Sequence, residues 1–289
     1  SPRGHVLSEV SRKTGLPKTC TVCVSGHDHM SGATACNLQV GNEALNSTGT
    51  SEGLLLLSAK PTLTESSMKR QITNGRYVDA SLFTAYASVP SAGLSFEWSL
   101  KTLGYVPDDY YRESLPKLYK SYLGGKFDDS RVLFVPHLRG SGPPYRDADS
   151  RALTYGMRDT TSRDELVFAT HLGTTMEFAR LCECMTDGKG LGKDVRVKVI
   201  GPAARNPLWM QLKADLLGVT FVACDVVEAV ARGAVIVAAR KNGMDVDSQF
   251  SMTEYQPNFD HHGILDAEFR SSYIPLCDLI TKFERHQAN

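Results

Sequence analysis

The sequence predicts an α/β fold, because strand and helix patterns alternate through its second half. A strand pattern over 195–200 leads through a loop of glycine, proline and alanine into a helix pattern over 207–217. A second strand pattern over 219–223 leads into an alanine-rich helix over 226–242. A glycine follows each helix, as is common where a chain leaves a helix. Strands joined by helices in this way form a sheet with helices packed against it.

The first sixty residues predict two helices, a buried strand and a hairpin. In chain order these elements cover 4–16 (helix), 19–24 (buried strand), 30–38 (helix), 45–50 (strand) and 54–60 (strand). Gly15 would end the first helix. The last two strands are joined by Gly-Thr-Ser-Glu-Gly, which predicts a tight turn.

The middle of the chain and its tail are less regular. The predicted elements are strands over 76–80, 82–88 and 132–136 and helices over 94–103, 108–123, 162–185 and 264–286. Pro116 and Pro275 fall inside two of these helices and should end or kink them. Residues 137–151 are rich in glycine, proline and aspartate and predict a binding loop, and 244–263 are expected to be irregular.

The composition predicts an ordinary globular protein that binds a small molecule. The 289 residues contain 32 Lys and Arg and 32 Asp and Glu, so no basic field draws the protein to nucleic acid or an anionic membrane. No apolar run approaches the roughly 20 residues that span a bilayer. Seven cysteines without framework spacing indicate a reducing cytoplasm, and the isolated Cys20-x-x-Cys23 pair does not predict a metal site.

The first candidate for chemistry is Asp28, which follows a strand pattern and lies between His27 and His29. A carboxylate placed there can take the proton of a substrate hydroxyl, as phosphoryl transfer to an alcohol requires. The two histidines are candidates to touch the substrate. The alternative is a surface Asp that caps the following helix.

Two glycine-containing turns are candidates for phosphate and nucleotide binding. In the turn Gly49-Thr50-Ser51, backbone N–H groups and hydroxyls can donate to phosphate oxygens, although a plain hairpin turn explains the same residues. The loop that begins at Gly201 joins a strand to a helix, where α/β sheets bind nucleotides. Asn206 would cap that helix with Pro207 in its first turn.

The order of these segments resembles the FGGY carbohydrate kinases, whose members phosphorylate glycerol, xylulose, ribulose and gluconate. The resemblance covers nearly the whole chain from about Gly4 and rests on Gly26–Ala33, Asn46–Leu55, Pro136–Tyr155, Gly201–Gly218 and Glu228–Ala239. It implies the actin-like ATPase (ribonuclease H-like) fold, a mixed sheet flanked by helices. It also implies ATP and Mg²⁺ as cofactors, with the metal bridging phosphates through water and nucleotide oxygens rather than through protein ligands.

The resemblance also assigns residues. Asp28 would be the general base, and His27, Asp28 and His29 would contact a sugar or polyol. The residues assigned to the nucleotide are Gly49, Thr50, Ser51, Gly140, Gly201 and Asn206. Pro202 departs from the family, which usually has a second glycine there.

Members of this family have two domains, and the chain resembles mainly the second. We expect residues 1–41 to be the end of the sugar-binding domain and residues 42–289 to be the nucleotide-binding domain, in a C-terminal portion that does not turn over alone. The alternative is a non-catalytic protein of the same fold that senses a sugar or nucleotide. The tyrosine-rich stretch 108–122 is either a solvated helix face or a homodimer contact.

Overall fold

A computed structural model describes residues 2–78, 80–130, 132–246 and 249–287. The strands in these ranges are β1 (Pro2–His5), β2 (Thr21–Cys23), β3 (Glu43–Thr48), β4 (Glu52–Ser58), β5 (Thr73–Arg76), β6 (Phe83–Val89), β7 (Leu133–Val135), β8 (Leu153–Tyr155), β9 (Arg196–Ile200), β10 (Thr220–Asp225) and β11 (Ser251–Tyr255). Seven of these strands form a mixed sheet in the order β11-β10-β9-β3-β4-β6-β5. β3, β9 and β10 are parallel neighbours, and the other pairs are antiparallel.

Helices flank this sheet, which confirms the predicted α/β class and the mixed sheet. They are α1 (Ser8–Thr14), α2 (Asp28–Ala35), α3 (Glu65–Lys69), α4 (Gly93–Thr102), α5 (Pro107–Asp109), α6 (Leu115–Leu123), α7 (Arg163–Met185), α8 (Pro207–Leu217), α9 (Ala229–Lys241), α10 (Phe259–Glu268) and α11 (Ile274–Gln287). Within the described ranges, none of them combines the length and the apolar composition that crossing a membrane requires.

The two faces of the sheet are covered by different helices. Ala44 and Leu54 belong to the core that contains α7 and α8, whereas Leu45 and Leu55 belong to the core that contains α2 and α9, as the alternation along a strand requires. α2 and α9 pack closely because a Cβ at Gly233 would lie only 1.7 Å from the carbonyl oxygen of Ser31. The helix that carries Asp28 is therefore held on the sheet.

Local signals place the ends of α7 and α8 correctly. Ser162 and Glu165 form a capping box: the Ser162 hydroxyl accepts from the Glu165 N–H at 3.2 Å, and the Glu165 carboxylate accepts from the Ser162 N–H at 2.8 Å. Asn206 caps α8 by accepting from the Trp209 N–H at 3.0 Å. Gly218 ends α8 with φ +64°, as predicted.

Two predictions at the N-terminus are wrong. The helix predicted over 4–16 begins only at Ser8, because the residues before it pair as β1 with β2. Gly15 does end it, at φ +76°. The strand predicted to be buried over 19–24 is β2, but Val22 within it and Val24 just after it are about half exposed, because β1 is its only partner among the described residues.

The tail predicted to be irregular over 244–263 contains β11 and the start of α10, so that prediction is wrong where the structure describes it; Asp247 and Ser248 lie outside the described residues. β11 is an exposed edge strand and has no apolar alternation to reveal it. The strand predicted over 76–80 ends at Arg76, and Asp79 is outside the described residues.

Neither Pro116 nor Pro275 breaks its helix. Each follows a π-helical turn, Tyr110–Ser114 and Phe269–Tyr273, that runs directly into α6 and α11. The proline ring would clash with the carbonyl four residues earlier, and in both cases that carbonyl lies in the wider turn. Tyr110 and Tyr122 are buried, so one side of the stretch 108–122 belongs to the core rather than to a solvated face.

A buried ion pair connects the β3–β4 hairpin to α8. Lys213 and Glu52 are paired with 0% of either side chain exposed, and the Lys213 ammonium also donates to Asn46 Oδ1 at 2.8 Å. The ammonium lies over the rings of Trp209 and Phe178, 4.9 and 5.1 Å from their centroids. Burial lowers the pKa of Lys213, and Glu52 opposes that shift.

Lys213→Ala should lower the free energy of unfolding by about 3–5 kcal/mol, because it leaves the Glu52 carboxylate buried without a partner. Urea unfolding measures the change. The double variant Lys213→Met with Glu52→Gln removes both charges and should recover most of the loss. A double variant as unstable as Lys213→Ala would contradict this account.

His171 lies in the middle of α7 and is fully buried. Its Nε2 is hydrogen-bonded to the Tyr110 hydroxyl at 3.0 Å, and its ring stacks on Phe96 with centroids 4.6 Å apart. Burial, reinforced by the Lys213 charge, lowers the pKa of His171 to about 3. The folded protein therefore holds this imidazole neutral.

The free energy of unfolding should fall as the pH drops from 6.5 towards 3, because in this range His171 is protonated in the unfolded chain but not in the folded chain. Between pH 7 and pH 5 this one group removes about 2 kcal/mol. Urea unfolding at several pH values should give a flatter profile for His171→Gln than for the wild type. The exposed control His5→Gln should keep the wild-type slope, and equal slopes for both variants would refute the assignment.

Candidate active site

Asp28 is the first residue of α2, and 58% of its side chain is exposed. Its Oδ1 accepts from the His29 backbone N–H at 2.8 Å and is paired with His27 Nδ1. A carboxylate in the first turn of a helix interacts favourably with the helix dipole. One oxygen of this carboxylate is therefore held in place, while more than half of the side chain is exposed to solvent.

Tyr86, on β6, completes this cluster and was not identified from the sequence. Its hydroxyl is hydrogen-bonded to His29 Nε2 at 2.6 Å, and the two rings stack with centroids 4.2 Å apart. Burial lowers the pKa of His29, although Asp28 opposes the shift, and burial raises the pKa of Tyr86. The pair is neutral at physiological pH.

Gly53 is the sequence signal that could have indicated Tyr86. A Cβ at Gly53 would lie 2.5 Å from the Tyr86 ring, so a larger residue there would displace the ring from its position over β4. A glycine within a strand often marks such a close approach.

The predicted phosphate turn, Gly49-Thr50-Ser51, joins β3 to β4 as expected. The start of α4 holds its carbonyl groups: the Gly93 N–H donates to Gly49 O, and the Ala92 N–H donates to Thr50 O, both at 3.0 Å. Because N–H and C=O point in opposite directions across a trans peptide, the N–H groups of Thr50 and Ser51 point away from α4. The turn can thus present two donors to an anion.

Gly140 lies in the predicted binding loop and is held near this turn. It has φ +83°, and a Cβ there would lie 2.5 Å from Asp147 O. The Arg139 N–H donates to the Ser91 hydroxyl at 3.0 Å, just before the start of α4. Gly140 itself is buried.

A cleft of about 970 Å³ opens at the carboxyl ends of β3, β9 and β10, where nucleotides bind in α/β sheets. Residues from the three strand ends and the start of α9 line it, including Ser47, Thr48, Gly201, Pro202, Asp225 and Glu228. The volume lies within the range of small-molecule sites. Of the six residues assigned to the nucleotide, Gly201 lines this cleft, and the other five do not: Gly49, Thr50, Ser51, Gly140 and Asn206.

Thr48 fixes the loop at Gly201 and was also not identified from the sequence. Its hydroxyl donates to Ile200 O at 2.8 Å and accepts from the Ala203 N–H at 3.2 Å. Gly201 has φ +94°, and a Cβ there would lie 1.9 Å from Thr48 O. Asn206 is buried, 2% exposed, and caps α8 at the end of this loop, so its role here is structural.

The turn after β3, the loop after β9 and helix α2 meet at one edge of the sheet. Ser47 pairs with Ile200, so the turn after β3 and the loop after β9 leave neighbouring parallel strands. α2 lies over the same edge, because a Cβ at Gly32 would lie 2.6 Å from the Ile200 side chain. Gly32 is one helical turn beyond Asp28.

Residues 44–241 match the family model described as the C-terminal domain of the FGGY family of carbohydrate kinases. This chain belongs to that family. The FGGY chain is similar to a xylulose kinase of Bacillus subtilis, with 25% identity over 83% of the chain and 46% of that protein. Another similar protein is a glycerol kinase of Bordetella pertussis, 32% identical over 57% of the chain and 30% of that protein. The chain thus spans about half the length, or less, of these relatives.

Solved structures confirm the actin-like ATPase fold expected of an FGGY chain. The xylulose kinase of Rhodospirillum rubrum superposes with a TM-score of 0.79 at 18% identity, covering 97% of this chain and 56% of that one. The glycerol kinase of Plasmodium falciparum, solved with ADP, superposes with a TM-score of 0.76 at 18% identity, covering 95% and 54%.

Gly201→Ala should lower the free energy of unfolding by about 1–3 kcal/mol, because the new Cβ meets the Thr48 carbonyl in a backbone conformation that alanine rarely adopts. Thermal unfolding measures the loss. Gly263→Ala, in α10 with no atom within 4 Å of the new Cβ, should instead stabilise by about 0.5–1 kcal/mol. Equal effects at the two glycines would show that the contact with Thr48 is unimportant.

Proposed function

We propose that this chain is the C-terminal portion of an ATP-dependent kinase that transfers the γ-phosphoryl group to a hydroxyl of a sugar or polyol, with a ketose such as xylulose as the preferred class. The observation that carries the proposal is the exposed Asp28 carboxylate, on a helix packed over the sheet edge that holds the phosphate turn and the cleft. The names of the relatives support the reaction class.

In this proposal Asp28 accepts the proton of the attacking hydroxyl. Its exposed carboxylate leaves room for the acceptor. The His29 backbone N–H donates to one carboxylate oxygen and so fixes the orientation of the side chain. His27 and His29 flank the acceptor, and Tyr86 fixes the His29 ring. Residues 1–41 supply this end of the sugar-binding side.

The nucleotide would occupy the cleft of residues 42–289, the proposed nucleotide-binding domain, and the family match over residues 44–241 lies within that range. The N–H groups of Thr50 and Ser51 donate to phosphate oxygens, and Gly201 and Pro202 border the adenosine. Gly140 and Asn206 would not touch the nucleotide; they would shape the loops that surround it.

Mg²⁺ fits this arrangement as an ion carried by the nucleotide. The turn Gly49-Thr50-Ser51 offers amides and hydroxyls, which suit phosphate oxygens and the water ligands of a hydrated ion better than they suit a bare cation. When bound, Mg²⁺ neutralises charge on the β- and γ-phosphates. The chain's own part is to position the phosphates and to take the proton at Asp28.

Asp28→Asn should reduce phosphorylation of the acceptor by about 10²–10⁴-fold, because the amide cannot accept the proton. Full-length protein is assayed with ATP against pentuloses, hexuloses and polyols, and ADP binding is measured in parallel. ADP affinity should stay within about twofold of the wild type, because Asp28 does not line the nucleotide cleft.

Asp159→Asn, a change of the same kind in an exposed loop, is the matched control and should keep full turnover. Undiminished turnover in Asp28→Asn would overturn the base assignment. A wild type that binds ADP and a sugar but transfers no phosphate would indicate a sensing protein of the same fold instead.

A further inference from the structure

The side chains around the candidate base also form a set of metal ligands. His27, Asp28 and His29 each offer one ligand atom, and the three atoms lie within 4.8 Å of one another. Two imidazole nitrogens and one carboxylate oxygen are a donor set that catalytic zinc sites use, with a fourth position left to water. His27 and Asp28 are exposed, so an ion can enter from solvent.

Ring stacking arranges these ligands before any ion arrives. The His27 and His29 rings are 5.3 Å apart at 20°, and His29 stacks in turn on Tyr86. Gly53 leaves the space in which the Tyr86 ring lies. His29 is thereby held in one orientation, which reduces the entropy that binding an ion would cost.

The donor set distinguishes among metals. Imidazole nitrogen favours Zn²⁺, whereas Mg²⁺ prefers oxygen ligands and keeps its water. The N-terminal end of α2 repels a cation, and the Asp28 carboxylate offsets that repulsion at the point of contact. The Mg²⁺ that accompanies a nucleotide therefore does not compete for this position.

We propose that His27, Asp28 and His29 form a Zn²⁺ site that, when filled, occupies the Asp28 carboxylate. Binding itself does not depend on the kinase function. The consequence, inhibition of phosphoryl transfer by removal of the free base, rests on the proposed kinase function.

Tyr86 provides a specific test of the proposal. The proposed ligand atom of His29 is Nε2, which is hydrogen-bonded to the Tyr86 hydroxyl at 2.6 Å and lies 3.8 Å from the Asp28 carboxylate, so an ion bound at this nitrogen would displace that hydrogen bond. Removing the hydroxyl should therefore strengthen Zn²⁺ binding, whereas removing either imidazole should weaken it.

The test is calorimetric titration of the tag-free chain with ZnCl₂ at pH 7.5. One Zn²⁺ should bind per chain, His27→Asn and His29→Asn should each weaken binding at least about tenfold, and Tyr86→Phe should bind more tightly than the wild type. His5→Asn, at an exposed histidine on β1, should bind as the wild type does. Failure of the wild type to bind, or indifference to the His27 and His29 changes, would overturn the site.

The double variant Cys20→Ser with Cys23→Ser tests the other candidate ligands. Cys23 is the last residue of β2, Cys20 lies just before that strand, and both are free thiols. If their loss abolished binding while His27→Asn did not, the proposal would be wrong. In the full-length protein, Zn²⁺ added with excess Mg·ATP should inhibit, and His27→Asn should relieve that inhibition. If the wild type bound zinc with the predicted dependence on the histidines but had no kinase activity, the proposed function would be wrong and the zinc site would still be supported.

Discussion

The contact on which the rest of the site depends is the buried pair of Lys213 and Glu52 with Asn46. It joins the β3–β4 hairpin, whose tip is the turn Gly49-Thr50-Ser51, to α8, which follows the loop that begins at Gly201. Such a pair adds little net stability over an apolar replacement, because desolvation offsets its attraction. Its value lies in register: β3, β4 and α8 satisfy these charges only in one relative position.

Close backbone approaches extend this constraint across the sheet edge. Thr48 meets Gly201, and the phosphate turn meets Gly93, where a Cβ would lie 2.3 Å from Gly49 O. On the opposite face, Gly233 lets α9 approach α2 and so fixes the helix that carries Asp28. Each contact joins segments that a longer side chain would separate. The candidate base, the turn and the cleft are consequently parts of one packed unit.

Local patterns were enough for the elements that carry the site and not for the contacts that arrange it. The alternation around 195–242 predicted β9, α8, β10 and α9, because glycine ends and Asn206 are local signals. The roles of Thr48, Tyr86 and Lys213 were not predicted, because their partners are distant in the sequence. Tyr86 is hydrogen-bonded to a residue 57 positions away, and Lys213 to one 161 positions away. Edge strand β11 was not predicted for another reason, since an exposed strand needs no apolar alternation.

The exposure of Asp28 has two chemical consequences that oppose each other. As the proposed base, Asp28 would have to keep a lone pair open to an acceptor hydroxyl, and the same lone pair would be a ligand in the proposed zinc site. Burying Asp28 would protect it from metal and close it to substrate. Tyr86 offers a partial solution, because its hydroxyl occupies His29 Nε2 and makes a zinc ion break a hydrogen bond before it can share the carboxylate. The Tyr86–His29 contact would thus keep the base available without enclosing it.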